Sequence, residues 1–572
     1  MTTTSDAAAV PRPATDKLCR RALLVGSLTT LLLLACFVLS RDSASSTAWL
    51  QIDLTKLNSC TYNGTQQAPG FTTTNAPQQH GGDELLGGLL PAGMDRRSCP
   101  SRYETWRYYK YFPYAASRHL QRKLRDYEAR HRRCAPGTPL FAKSVEQLRS
   151  GRGADDGGME CSYVVWLPMD GLGNRMLSMV SGFLYALLTG RVFLVALPRD
   201  TADLFCEPFP GTTWRLPMDD GDFPVANLFP RSQDMDKSYT RLLDAKVIGP
   251  DMNATAPAGA PPPPYVYLSL GPRLKDSIFF CGEHQLVLRK VNWLLQYSDL
   301  YFAPSLYAVA EFQDELRRLF PAKESVSHLL SRYLFHPTKP VWRLVARYYR
   351  SYLAPAKRRI GVQVRMFGYG SIPADDMYNQ ILACSRQENL LPETDVDDGA
   401  GDEQAAAMRS GNGDNAGGSN STAILVASLY ADYYERLKSR YYEHAAKGGE
   451  TVAVFQPSHE ERQATGNSAH NQRALAEIYL LSFSEELLTS GRSTFGYVSS
   501  SLAGVRPTML LTAFGHKVPE PPCRRAVSME PCNLTPPLLG VQCQGKPVDK
   551  EDLARHLRVC EDSPKDTVKF FD

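Results

Sequence analysis

Three short stretches hold residue types that could do chemistry at an anion. Gly171-Leu172-Gly173-Asn174-Arg175 sets two glycines, an amide and a guanidinium at the head of a helix-period run. Glycines at a helix start let backbone N–H groups and the positive end of the helix dipole approach a negative charge. A forked guanidinium such as Arg175 matches phosphate geometry. Asn174 stands where an N-cap is expected, with Arg175 opening the helix. The third glycine of G-x-G-x-x-G and the Lys-Ser/Thr pair of a P-loop are both missing, so the stretch alone also fits a tight turn with a surface Arg. The second stretch, Ile360–Arg365, reads as a strand ending in a cation. The third, Ser490–Tyr497, joins a strand to a short helix through Gly, Ser and Thr. Two acidic triplets, Asp220-Gly221-Asp222 and Asp234-Met235-Asp236, could hold a divalent cation, but their polar, irregular surroundings read as loop charge.

The elements that must position these stretches alternate. Tyr163–Leu167 is an apolar strand, and Leu177, Val180, Phe183, Leu184 and Leu187 line one helix face before Gly190 stops it. Val192–Leu197 is a second strand, which completes a β-turn-α-β unit. After a basic linker at Arg350–Arg359, Ile424–Ser428, Val452–Phe455 and Leu487–Ser490 read as strands. Tyr430–His444, Gln472–Ser482 and Thr494–Leu502 read as helices between and after them. This rhythm implies a doubly wound parallel sheet with ligands at the carboxyl ends of its strands, where Arg365 and Ser490–Tyr497 fall. Residues 391–422, acidic and rich in Gly, Ala and Asn, read as a disordered insertion. Tyr103–Arg133 is aromatic, then strongly basic, and reads as a helix with a solvated face and with Leu120, Leu124 and Tyr127 turned inward. Four cysteines among the prolines of Pro519–Cys560 should staple the tail to the body.

At 572 residues the chain exceeds one ordinary core. Its formal charge of +4 gives no nucleic-acid signal. Ala22–Ser40 is an uncharged run of 19 residues behind Lys17, Arg20 and Arg21. Length and flanks fit a membrane-spanning signal-anchor with a cytosolic tail (1–21) and everything after Arg41 lumenal, a cleaved signal peptide being the rival. Residues 41–98, rich in Ser, Thr, Gly, Gln and Asn, read as a flexible stem. Asn63, Asn253, Asn420 and Asn533 are N-glycosylation sequons beyond the span. Of the 13 cysteines, Cys19 and Cys36 precede Arg41, which leaves 11 in a compartment that permits disulfides, and at least one without an internal partner.

An anchor, a stem and two α/β halves suggest a Golgi-type glycosyltransferase. The motifs are more specific. GLGNR (171–175) continuing into FLYALLTGRVFLV, IGVQVR ending at Arg365, and Ser493-Thr494-Phe495-Gly496-Tyr497-Val498 occur in order with ADLFCEPFPGTTW, DLYFAPSL, RYLFHPT, QPSHEERQ, AEIYLLS, RAVSMEPC and CED. Together they resemble the plant xyloglucan (galactoside 2-α-L-) fucosyltransferase family from about Cys99 to the C-terminus. The resemblance implies an α/β, variant two-Rossmann-domain (GT-B-like) enzyme behind the transmembrane helix and stem. Residues 99–352 would form the acceptor side, 353–525 the GDP-fucose side and 526–572 a Cys/Pro-rich extension. It implies α-1,2 transfer of L-fucose from GDP-fucose with inversion and with no cofactor or metal. The acceptor would be galactose of xyloglucan or arabinose of an arabinogalactan. The protein would be a single-pass type II Golgi membrane protein, with a homodimer left open and no nucleic-acid partner.

The donor would meet Gly171, Leu172, Gly173, Asn174, Arg175, Arg365, Ser493, Thr494, Phe495, Gly496 and Tyr497. Arg365 would neutralise the departing β-phosphate, the alternative being a structural salt bridge. Tyr497 or Phe495 would pack on guanine or fucose, the alternative being core packing, above all for Phe495. Asp299, ahead of the aromatic Tyr301 and Phe302, would orient the acceptor hydroxyl or take its proton, the alternative being a helix cap. Ala196, Arg492, Ser499–Ser501 and Thr508 depart from the usual family pattern and leave the acceptor open. A non-catalytic, lectin-like Golgi paralogue is the rival from another class. A glycoside hydrolase would need a carboxylate pair that the sequence does not display.

Overall fold

A computed structural model describes residues 83–151, 159–218, 223–225, 237–250, 263–271, 276–367, 372–398, 421–513, 516–536, 541–544, 546–547, 550–563 and 567–572. The tail, the Ala22–Ser40 span, most of the stem, both acidic triplets and the sequons at Asn63, Asn253 and Asn420 lie outside the described residues. No helix among those described is long and apolar enough to cross a membrane.

Two parallel sheets carry the body. The first has the order β2-β1-β4-β3, from β1 (Tyr163–Leu167), β2 (Val192–Val195), β3 (Tyr265–Ser269) and β4 (Trp293–Tyr297). Tyr163 stands opposite both Val192 and Trp293, so β1 and β4 run side by side at the centre. All of β1 and β2 is buried, as continuous β-branched and aromatic strands require when both faces are covered. The second sheet has the order β10-β9-β8-β5-β6-β7. Its strands are β5 (Arg358–Val364), β6 (Ser421–Ser428), β7 (Thr451–Phe455), β8 (Glu486–Ser490), β9 (Thr508–Leu510) and β10 (Cys523–Arg525). All pairs are parallel except β9 with β10. Each order reverses once, between β1 and β4 and between β5 and β8. Crevices outside the carboxyl ends of such reversal points are where α/β sheets take ligands.

The helices are amphipathic as their spacing predicts. In α1 (Arg118–Cys134), capped by the Ser117 hydroxyl, Leu120, Leu124 and Tyr127 are buried and Arg118, Arg122, Arg132 and Arg133 face outward. In α2 (Leu172–Thr189) the run from Met176 to Leu187 is buried and Gly190 closes the helix at φ 66. In the second half, α3 (Asp432–Glu443), α4 (Ser468–Leu481) and α5 (Thr494–Ala503) alternate with the strands.

The segment just upstream of Cys99 packs on the body, at odds with a stem reaching residue 98. Leu89 and Leu90 are buried, and Gln121 and Arg125 donate to carbonyls of Gly87, Gly88 and Leu89. Both ends of the expected insertion are also built into the fold. Leu390 and Leu391 are buried, Lys447 N–H donates to Glu393, and Ser421 already pairs within the second sheet.

Among the described residues, five disulfides join Cys99–Cys206, Cys134–Cys161, Cys281–Cys543, Cys384–Cys523 and Cys532–Cys560. All four tail cysteines are paired, which staples the extension to both halves. Asn533 does not suit a glycan in this fold. It is fully buried, its amide donates to the Ser305 hydroxyl at 3.0 Å, and its backbone bridges to Val568.

Candidate active site

The two reversal points face one cleft of ≈ 670 Å³. The volume lies within the range of small-molecule sites. One wall is Asp170–Arg175, at the carboxyl end of β1. The other is built from Gln363–Arg365, Ser428, Leu429, the loop around Ser458–Thr465, the start of α4 and Arg492–Phe495.

Two helix N-termini meet across it. The helix α2 begins at Leu172 with Gly171 as N-cap, three residues before the expected start. Asn174 is therefore inside the first turn rather than at the cap, and its Oδ1 accepts a hydrogen bond from the Thr494 hydroxyl of α5 at 2.8 Å. Ser493 is the N-cap of α5, with no side-chain cap bond and a buried side chain. The helices come so close that a Cβ on Gly173 would stand 2.7 Å from Thr494 Oγ1 and 2.9 Å from the Phe495 backbone N. Both positive helix ends thus open on one space, which is the arrangement an anion requires.

Arg365 follows β5 and crosses the second reversal point. Its N–H donates to the Ser490 hydroxyl at 2.8 Å, and its Nη2 donates to Gln463 Oε1 at 3.1 Å. No carboxylate among the described residues lies within salt-bridge distance of it. A structural ion pair therefore does not account for this cation. Arg175 differs from the expectation of a phosphate fork. Its Nη1 pairs with Asp200 at 2.8 Å and its Nε donates to the Asp170 carbonyl at 2.9 Å. Asp200 also accepts from the Asn471 amide at 3.2 Å, so Arg175 braces the wall rather than reaching into the cleft.

The aromatic assignments change places. Phe495 lines the cleft, whereas Tyr497 is buried and its hydroxyl donates to Asp562 Oδ2 at 2.6 Å. Burial and the Asp562 carboxylate hold that phenol well above its ordinary range. Gly496 serves packing, since a Cβ there would meet Thr489 Cβ at 2.8 Å. Tyr301 and Phe302 are core residues, with the Tyr301 hydroxyl on Glu530, so neither offers a face to a sugar.

Asp299 stands just past β4, behind the cleft wall, and is 7% exposed. Its neighbour is Asp170, which lines the cleft in a left-handed conformation at φ 56. Strained positions of this kind gather at functional sites. Burial first, then the neighbouring Asp170 carboxyl, push Asp299 up to about 7. A helix cap does not explain Asp299.

Several cleft residues carry no strong signal in sequence. Asp170, Gln463, Arg492 and Glu477 all line it. Glu477 accepts from the Ser458 hydroxyl, and burial raises it to about 7. The QPSHEERQ match was the available pointer to Ser458 and Gln463. Asp170 could have been found from its place between a strand and the GLGNR turn.

Comparison with known proteins gives one answer. The xyloglucan fucosyltransferase family model matches residues 59–543. The galactoside 2-alpha-L-fucosyltransferase of Arabidopsis thaliana is 44% identical over 496 residues, which cover 86% of this chain and 83% of that protein. The enzyme of the same name from Pisum sativum is 43% identical over 484 residues, 84% of this chain and 81% of its own length. The solved structure of a mutant of Arabidopsis thaliana FUT1 in complex with GDP superposes with a TM-score of 0.74 at 42% identity, covering 85% of this chain and all of that one. The chain is a fucosyltransferase and belongs to the xyloglucan fucosyltransferase family.

Proposed function

We propose that this enzyme transfers L-fucose from GDP-fucose in α-1,2 linkage to a terminal galactose or arabinose of a cell-wall glycan, xyloglucan or an arabinogalactan. It would act with inversion and without a metal ion, in the Golgi lumen behind the N-terminal anchor. One observation carries this most strongly: an arginine with no carboxylate partner among the described residues and two helix N-termini converge on the same cleft. That is a diphosphate site built from N–H donors and a guanidinium. The relative of known structure holds GDP.

In the reaction the acceptor hydroxyl oxygen bonds to C1 of fucose as the bond from C1 to the β-phosphate oxygen breaks. GDP leaves with the electron pair. Negative charge grows on the leaving phosphate, so Arg365 and the α5 N-terminus lower the barrier more than they strengthen donor binding. The hydroxyl proton passes to Asp299, directly or through water, and its raised value of about 7 suits a base near neutrality. Calorimetric titration with GDP, followed by transfer of labelled fucose to a panel of acceptors, tests this. A chain that binds neither GDP nor GDP-fucose would refute it.

A further inference from the structure

We propose that Asp562, in the C-terminal tail, is a positioning residue that fixes the donor-phosphate turn Gly491–Thr494, on the premise that GDP-fucose is the donor. The turn needs an external brace. Arg492 lines the cleft with a backbone φ of 61, a conformation that a residue with a Cβ adopts at a cost. Gly491 is pressed from two sides: a Cβ there would stand 2.7 Å from the Leu510 carbonyl and 3.0 Å from Asp562 Cβ.

Asp562 holds this strained turn at both ends with one atom. Its Oδ2 accepts the Arg492 backbone N–H at 2.7 Å and the Tyr497 hydroxyl at 2.6 Å. The first bond locks the left-handed residue. The second reaches the first turn of α5, whose N-terminus faces the cleft. Asp562 is 2% exposed, so these bonds form away from water, and bonds to a carboxylate are the stronger kind.

The tail is itself anchored to deliver the carboxylate. Cys560, two residues upstream, is bonded to Cys532. Leu557–Arg558 pairs with Lys569–Phe570, and the Lys569 ammonium bonds Glu561 at 2.9 Å. A segment that contributes no strand to either sheet therefore places one oxygen beneath the donor loop.

The test uses the full chain and compares wild type with Asp562→Ala, Asp562→Asn and Asp562→Glu. GDP affinity is measured by calorimetry, KM for GDP-fucose and kcat by transfer, and folding by circular dichroism and thermal unfolding. Asp562→Ala should weaken GDP about tenfold or more, with a matching rise in KM. Asp562→Asn should restore binding to within about threefold of wild type, because one amide oxygen can accept both bonds. Asp562→Glu should not restore it, since the extra methylene displaces the oxygen. Rescue by Asn and not Glu is an outcome that a bulk-stability role would not give. If Asp562→Ala does not fold, the Asn and Glu pair still decides. Asn and Glu binding GDP alike, or a folded Asp562→Ala binding as wild type does, would overturn the proposal. A wild-type chain that ignores GDP would instead sink the donor assignment, and this role with it.

Discussion

Gly173→Ala is the sharpest single perturbation of the cleft. A Cβ at this position would meet Thr494 Oγ1 at 2.7 Å, the Thr494 carbonyl carbon at 2.8 Å and Phe495 N at 2.9 Å, where ordinary contact begins near 3.4 Å. Two of those atoms are backbone and cannot swing away. The helices α2 and α5 must therefore part by about 0.5–0.7 Å, from the same contacts. Overpacking of that order costs about 1–3 kcal/mol. It also stretches the 2.8 Å bond between Asn174 and Thr494, which joins the two walls. Since the donor is held by both walls, GDP affinity should fall about tenfold to a hundredfold. Gly171→Ala is the internal control. Its Cβ would touch only the tip of Gln463, Nε2 at 2.8 Å, with the next atom at 3.9 Å, so a rotamer change relieves it. Calorimetry with GDP on both variants, alongside thermal unfolding, measures the contrast. Equal losses in the two variants, or wild-type affinity in Gly173→Ala, would refute the close helix approach as the basis of the site.

Arg365→Lys keeps the charge and loses the fork, so turnover should fall about 10²–10³ while GDP affinity weakens modestly, as transfer rates and calorimetry will show. Asp299→Asn should cut transfer and leave GDP affinity nearly unchanged. The Asp299 acid is ionised only above about 7, so wild-type transfer should climb as pH rises through that value, and the variant should lose this limb. The same raised value means the folded protein keeps a proton that the unfolded chain releases near 3.8. The contribution of this acid to stability is thus full below 3.8 and lost as pH rises through 7, and denaturant melts of Asp299→Asn should flatten that trend. Treatment with EDTA should leave the rate unchanged, and a loss restored by Mn²⁺ would count against the metal-free reading.

The sequence is most informative where a single physical rule dominates. Tyr163–Leu167 is legible as a strand, and observed as one, because it is buried on both faces. The phase of α5 is legible because Gly and Ser precede an apolar run. Arg365 is legible as a strand-end cation because it closes the largely apolar run Ile360–Val364. Pair relations across the fold are not legible. Asn174 looks like a cap, but Gly171 takes that position and Asn174 instead meets Thr494, 320 positions along the chain. Tyr497 and Phe495 are both aromatic and two positions apart, and Asp562, from the tail, holds Tyr497 in the buried place. Tyr301 and Phe302 look like a sugar platform, yet Glu530 draws Tyr301 into the core. Asp299 gains its character from Asp170, a neighbour supplied by strand order rather than by sequence distance.

The most direct measurement of the central claim is transfer of labelled fucose from GDP-fucose by the full chain, run with and without a terminal galactose or arabinose acceptor and with unlabelled GDP as competitor. Label should move to the acceptor in an α-1,2 linkage, and GDP should suppress it. No GDP binding and no label on any acceptor, from a folded chain, would contradict the account.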